Sequence, residues 1–156
     1  MKIESPAFAD GGRIPERHSA YGENRSPELR WSGAPADTKS FAIIVDDPDA
    51  PGGEPFVHWI VYNVPSSMTS LPEGLPPAAK LPNGVLQGRN SAGSVGYFGP
   101  RPPKTHPPHH YHFRIFALDG MLPLDAGVER QQLSRAMEGH ILAEAETVGV
   151  YGYQGS

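Results

Sequence analysis

Asp46-Asp47-Pro48-Asp49-Ala50-Pro51 sets three carboxylates in a run with two prolines, and an imidazole, His58, follows a few residues later. The prolines fix φ at positions 48 and 51 and restrict the residues before them, so the carboxylates stand on a stiff loop. A solvated acidic turn satisfies the same pattern, because Asp and Pro are ordinary turn residues. His58 is polar within an apolar run and needs a hydrogen-bond partner once buried. A loop carboxylate one strand away would fix its tautomer and raise its pKa toward a cation that an anion favours, and Asp47 is expected to play that part. A satisfied core histidine is the plainer alternative.

His106-Pro107-Pro108-His109-His110-Tyr111-His112 is the densest histidine cluster in the chain. Joined with Asp47, Asp49 and His58 it can be read as a metal-ligand set that would activate water. Strand alternation argues against that reading, because it turns His110 and His112 away from His109 and Tyr111. No cofactor or metal is expected. His109 and Tyr111 share a face and offer hydrogen-bond donors, which suit an oxyanion better than a cation. Ser40, Ser91 and Ser94 stand in no Gly-x-Ser-x-Gly elbow, and Gly93-Ser94-Val95-Gly96 lacks the lysine of a phosphate-cradling loop. The pattern points to binding rather than catalysis.

These residues must be carried by strands. Residues 41–45, Phe-Ala-Ile-Ile-Val, form a short β-branched run ending in acidic and proline residues. Residues 56–64, rich in β-branched and aromatic side chains on both alternating faces, predict a strand covered on both sides, with His58 in phase with Phe56, Ile60 and Tyr62. Residues 111–118 are again strand-like, with Tyr111, Phe113 and Ile115 on one face and His109 in phase with them. Residues 65–108 are dense in Gly and Pro, a stretch long enough to hold functional loops, with a short strand expected at Val85-Leu86-Gln87. Residues 128–146 hold helix formers with Leu133, Met137, Ile141 and Leu142 at near-helical spacing. Asp125 is the expected cap, and Gly139 is expected to split this segment into two short helices.

The 156 residues predict a single domain spanning 1–156. Gly and Pro number 18 each, but they cluster between apolar runs, as turns joining short strands require. A net charge of −4 without a Lys/Arg cluster argues against nucleic acid as partner. Cysteine is absent, which excludes disulfides and thiolate chemistry. No run of 18 apolar residues or signal-like leader is visible, so no integral membrane segment and a cytoplasmic location are expected. The class that follows is mainly β: two packed antiparallel sheets with short peripheral and C-terminal helices.

Taken together, Ser26-Pro27-Glu28-Leu29-Arg30-Trp31, the run from Phe41 to Pro51, His58-Trp59-Ile60-Val61-Tyr62-Asn63, Tyr97-Phe98-Gly99-Pro100-Arg101-Pro102-Pro103-Lys104 and His109-His110-Tyr111 resemble the phosphatidylethanolamine-binding protein family, in its bacterial Raf-kinase-inhibitor-like branch. The resemblance covers nearly the whole chain. It implies a Greek-key antiparallel β-sandwich with a pocket for a phosphate or phosphoethanolamine head group. By the same resemblance Asp47 is the pocket carboxylate, His58 the strand histidine, Pro102 and Pro103 a wall, and His109 and Tyr111 the anion donors. Pro48, Asp49, Ala50, Pro51, Trp59, Arg101 and His110 shape the pocket, and the Ala50-Pro51 bond is expected in cis. Two positions depart from the pattern. His110 stands where relatives usually carry Arg, so a pairing with a loop carboxylate would depend on pH, and Arg101 replaces a small residue. A kinase or protease partner and a homodimer are implied by analogy with relatives.

Overall fold

A computed structural model describes residues 1–153. Two antiparallel sheets face each other. The smaller contains β1 (Lys2–Glu4), β2 (Leu29–Ser32) and β5 (Ser70–Leu71) in the order β1-β2-β5. The larger contains β3 (Ser40–Asp47), β4 (Phe56–Pro65), β6 (Leu86–Gln87), β7 (His109–Leu118) and β8 (Ile141–Tyr151), in the order β6-β4-β3-β7-β8. Three successive strands of this sheet, β3, β4 and β6, lie side by side, and β7 returns to pair with β3. That return is the Greek-key connection. One helix, α1 (Arg130–Met137), packs on the outer face of the larger sheet.

The central strand β3 is buried at every residue, which its β-branched run anticipates. Alternation sends Phe41, Ile43 and Val45 into the core between the sheets, where they meet Trp31, Trp59, Phe113 and Ile115. It sends Ala42 and Ile44 to the opposite face, where Ile60, Tyr62, Leu133 and Met137 close a second core beneath α1.

Two irregularities in the β3–β4 ladder decide which side chains reach which face. Val45 pairs with Trp59 but Asp46 pairs with Val57, leaving His58 as an extra residue on β4. Ile60 and Tyr62 therefore do not share a face with His58, as simple alternation predicts. They lie in the outer core, while the His58 ring packs against Phe56 and Tyr111. The second irregularity lies near Asn63, whose φ is +53°. Asn tolerates that left-handed conformation, and its side chain bridges to the backbone of Leu122.

The C-terminal segment corrects the helical expectation. Only Arg130–Met137 is helical, and Leu133 and Met137 are its buried residues. The helix starts after Glu129, whose N–H donates to Gln132 Oε1 at 3.0 Å, and Asp125 instead offers its backbone carbonyl to the Tyr62 hydroxyl. Gly139, at φ +79°, ends the helical region rather than dividing it. The chain then runs back as β8, paired with β7 from Leu118↔Ile141 to His109↔Tyr151. Ala143, Ala145 and Tyr151 pack on the inter-sheet core, a period of two hidden in an Ala/Glu composition. The expected short strand near Leu86 is present as β6.

Candidate functional site

The loop after β3 is built on its carboxylates. Asp47 ends the strand at 2% exposure, and its Oδ1 accepts the N–H of Asp49 at 2.8 Å, an Asx-type closure of the turn. Its Oδ2 accepts from His109 Nδ1 at 2.7 Å, both groups being buried. Asp49 turns outward and takes two bonds from His110, one from the backbone N–H and one from Nδ1, each 2.8 Å. Those bonds, the side-chain one foremost, hold the Asp49 carboxyl below the usual carboxylate range. Every peptide bond among the described residues is trans, Ala50-Pro51 included, contrary to the cis form that the resemblance implies.

His58 does not pair with Asp47. The loop carrying Phe98 is laced to β4 at this residue: Phe98 N–H donates to the His58 carbonyl at 2.9 Å, and His58 Nδ1 donates to the Phe98 carbonyl at 2.5 Å. His58 is the extra residue of the bulge, and its ring nitrogen is taken by that loop rather than by the Asp47 carboxylate. Burial then pushes the imidazole pKa down, against the pull of the Phe98 carbonyl and of Asp47, so His58 is held neutral rather than charged.

Between these groups lies a cavity of about 360 Å³. Asp47, His58, His109 and Tyr111 line it with polar atoms, and Arg101 stands at its exposed rim. Ala50, Pro51, Pro102 and Pro103 contribute apolar wall, together with Phe56, Phe98 and Ala92, which the sequence reading did not select. Phe56 and Phe98 flank the imidazole with ring centroids 4.7 and 6.1 Å from it. An available signal for Phe56 was its alternation with His58, and for Phe98 an aromatic residue inside a Gly/Pro-rich loop.

The Tyr111 hydroxyl has no hydrogen-bond partner among the described residues, although the residue is 1% exposed. Burial, with the Asp47 charge second, pushes its pKa up, so it stays a proton donor. His109 is engaged on both ring nitrogens, Nδ1 to Asp47 and Nε2 to His106 Nδ1 at 3.2 Å. Trp59, Pro48, Asp49 and His110 do not line the cavity. Trp59 supports it from behind, with Nε1 donating to Gln87 Oε1 at 2.7 Å and its ring against the edge of Tyr97.

The Phe98-to-Pro102 wall is anchored on an early loop. Tyr97 donates to the His18 carbonyl at 2.7 Å, Gly99 N–H to Asn24 Oδ1 at 2.6 Å, and Tyr21 to the Pro102 carbonyl at 2.6 Å. Gly99 is required by that approach, since a Cβ there would lie 2.2 Å from the His18 carbonyl oxygen. Arg101 rests over the Tyr21 ring at 5.8 Å. Among the described residues, no group of three or more His, Asp or Glu side chains is arranged to hold a metal ion, and no helix is long and apolar enough to cross a membrane.

Comparison with known proteins gives consistent matches over this whole fold. The family model described as phosphatidylethanolamine-binding protein matches residues 4–152. A UPF0098 protein of Methanothermobacter thermautotrophicus is 46% identical over 151 residues, covering 97% of this chain and 98% of that protein. A UPF0098 protein of Chlamydia muridarum is 43% identical over 155 residues, covering 97% and 98%. The relatives include archaeal proteins, a wider range than the bacterial branch suggested by the motifs. Among solved structures, the putative phosphatidylethanolamine-binding protein homolog CT736 of Chlamydia trachomatis has 39% identity and a TM-score of 0.89, with 98% of this chain and 97% of that chain covered. YbcL of E. coli, described as a new member of the mammalian PEBP family, has 37% identity, a TM-score of 0.91 and 98% of each chain covered.

Proposed function

Because the chain belongs to the phosphatidylethanolamine-binding protein family from residue 4 to residue 152, we propose that it is a binding protein whose cavity takes a small phosphate-type anion, either phosphate itself or a phosphoethanolamine group. The observation that carries this reading is the Tyr111 hydroxyl: the donor of an otherwise buried residue, kept protonated, facing the cavity and unpaired by any described protein group. The hydroxyl opens onto the cavity rather than being sealed within the protein, so a ligand oxygen can accept from it without displacing a protein partner. The Arg101 guanidinium at the rim adds positive charge where an anion enters. The aromatic faces of Phe56 and Phe98 and the Asp47 carboxylate suit the ammonium end of phosphoethanolamine.

Isothermal calorimetry at pH 6 to 7 with inorganic phosphate and with phosphoethanolamine tests the reading. One saturable site is expected, weakened at least about tenfold in His58→Ala, the loss of one hydrogen bond to a charged ligand. Absence of heat with both ligands, and no difference between wild type and variant, would refute it.

A further inference from the structure

The two cavity histidines are fixed in one tautomer by the groups behind them. A backbone carbonyl only accepts, so the 2.5 Å contact of His58 Nδ1 with the Phe98 carbonyl puts the proton of the neutral ring on Nδ1. Its Nε2, the ring's remaining polar atom, is then a bare lone pair with no described protein partner. The same logic applies to His109, whose Nδ1 donates to the Asp47 carboxylate, while its Nε2 is taken by His106. In its neutral form the His58 ring therefore presents an acceptor, not a donor, while both His109 nitrogens are already committed. A fully deprotonated anion would point its own lone pairs at the His58 Nε2 lone pair, which is repulsive. Tyr111 is the buried donor that remains, and Arg101 is at the rim.

We propose that the cavity selects a phosphomonoester in its monoanionic form, whose own P–OH donates to His58 Nε2 while a second phosphate oxygen accepts from the Tyr111 hydroxyl. The proposal rests on the anion-binding reading above and specifies which protonation state is bound. A phosphodiester lacks the P–OH, so a free phosphoethanolamine fits the site and the same head group linked within a phospholipid does not. The charged and titratable groups around His58 favour this arrangement together. On β3, Asp46 and Asp47 place negative charge near the ring, and Asp47 is already committed to His109 on β7. On β7, Tyr111 remains protonated. From the loop side come the exposed Arg101 and His106, and Asp49 is turned out onto His110. Burial disfavours charging the imidazole itself, so the shared proton stays with the ligand.

Calorimetry with methyl phosphate and dimethyl phosphate distinguishes the two forms, and phosphoethanolamine against glycerophosphoethanolamine repeats the comparison for the free and lipid-type head group. At pH 6 the monoester is expected to bind at least about tenfold more tightly than the diester, because a site built around one hydrogen bond rejects the analogue lacking it. A phosphomonoester loses its second proton near pH 6, so its apparent Kd should rise about tenfold between pH 7 and pH 8, with proton uptake from buffer. Equal affinity for the diester, or monoester affinity unchanged between pH 7 and pH 8, overturns the proposal and leaves the anion reading standing. Binding of neither ester overturns both.

Discussion

Replacing Tyr111 with Phe removes one oxygen and nothing else from the cavity. That oxygen makes no hydrogen bond within the described protein, so its loss leaves no orphaned partner, and the ring keeps its packing against His58 at 5.1 Å. Stability should therefore change by no more than about 0.5 kcal/mol. Ligand affinity should respond very differently, because a hydrogen bond to a charged group contributes roughly 1.5–3 kcal/mol, or about a ten- to hundredfold rise in Kd. Urea unfolding and phosphoethanolamine calorimetry on the same preparation measure the two effects separately. The expected outcome is an unchanged midpoint with a much weaker complex. An unchanged complex would show that the hydroxyl does not meet the ligand. A destabilisation beyond about 1 kcal/mol would show that the hydroxyl is satisfied by the protein and is not a free donor.

Asp47→Ala should behave in the opposite manner, destabilising the fold by about 1–3 kcal/mol in denaturant unfolding, since it strands the buried His109 Nδ1 donor and opens the turn closed by the Asp49 N–H. Gly99→Ala should cost about 1–3 kcal/mol, because the added Cβ meets a backbone carbonyl at 2.2 Å, and it should also weaken ligand binding by displacing the Phe98 wall. Asp49 has a folded pKa below its unfolded value, so its contribution is present above the usual carboxylate range and is lost as pH falls through the lowered folded value. With a side chain 42% exposed, that contribution is on the order of a few tenths of a kcal/mol, and a carboxyl NMR titration should show its pKa rising in His110→Ala.

The strands carrying the site were legible because their periods are simple. His109, Tyr111, Phe113 and Ile115 alternate with more exposed residues, and β7 buries that face as the pattern requires. β8 was not legible for a physical reason. Its Ala and Glu residues have good intrinsic helix propensity, but propensity differences amount to well under about 1 kcal/mol per residue. The open edge of β7 offers a ladder along the whole segment, and Ala143, Ala145 and Tyr151 gain the core only as a strand. The partner of His58 was hidden for another reason. Its acceptor is a backbone carbonyl 40 residues away, and His58 meets it as the extra residue of a bulge, which has no residue signature of its own.

The acidic loop shows how far adjacency in sequence differs from adjacency in space. Asp46 and Asp47 are neighbours on β3, so their side chains leave the strand on opposite faces. Asp46 points outward, where its Oδ2 meets Arg114 at 2.8 Å and Arg130 at 2.7 Å, tying β3 to β7 and to α1. Asp47 points toward the cavity and is taken by His109, and Asp49 is taken by His110 on the exposed side. Three carboxylates that read as a single acidic mouth are thus distributed among four different partners, and Asp47 is the one that reaches the cavity. Its negative charge there is held against a histidine N–H, while Arg101 stands at the entrance without a carboxylate partner among the described residues. The acidic loop thus reaches the cavity only through Asp47 and its bond to His109, with the Arg101 guanidinium at the rim and the Tyr111 hydroxyl inside.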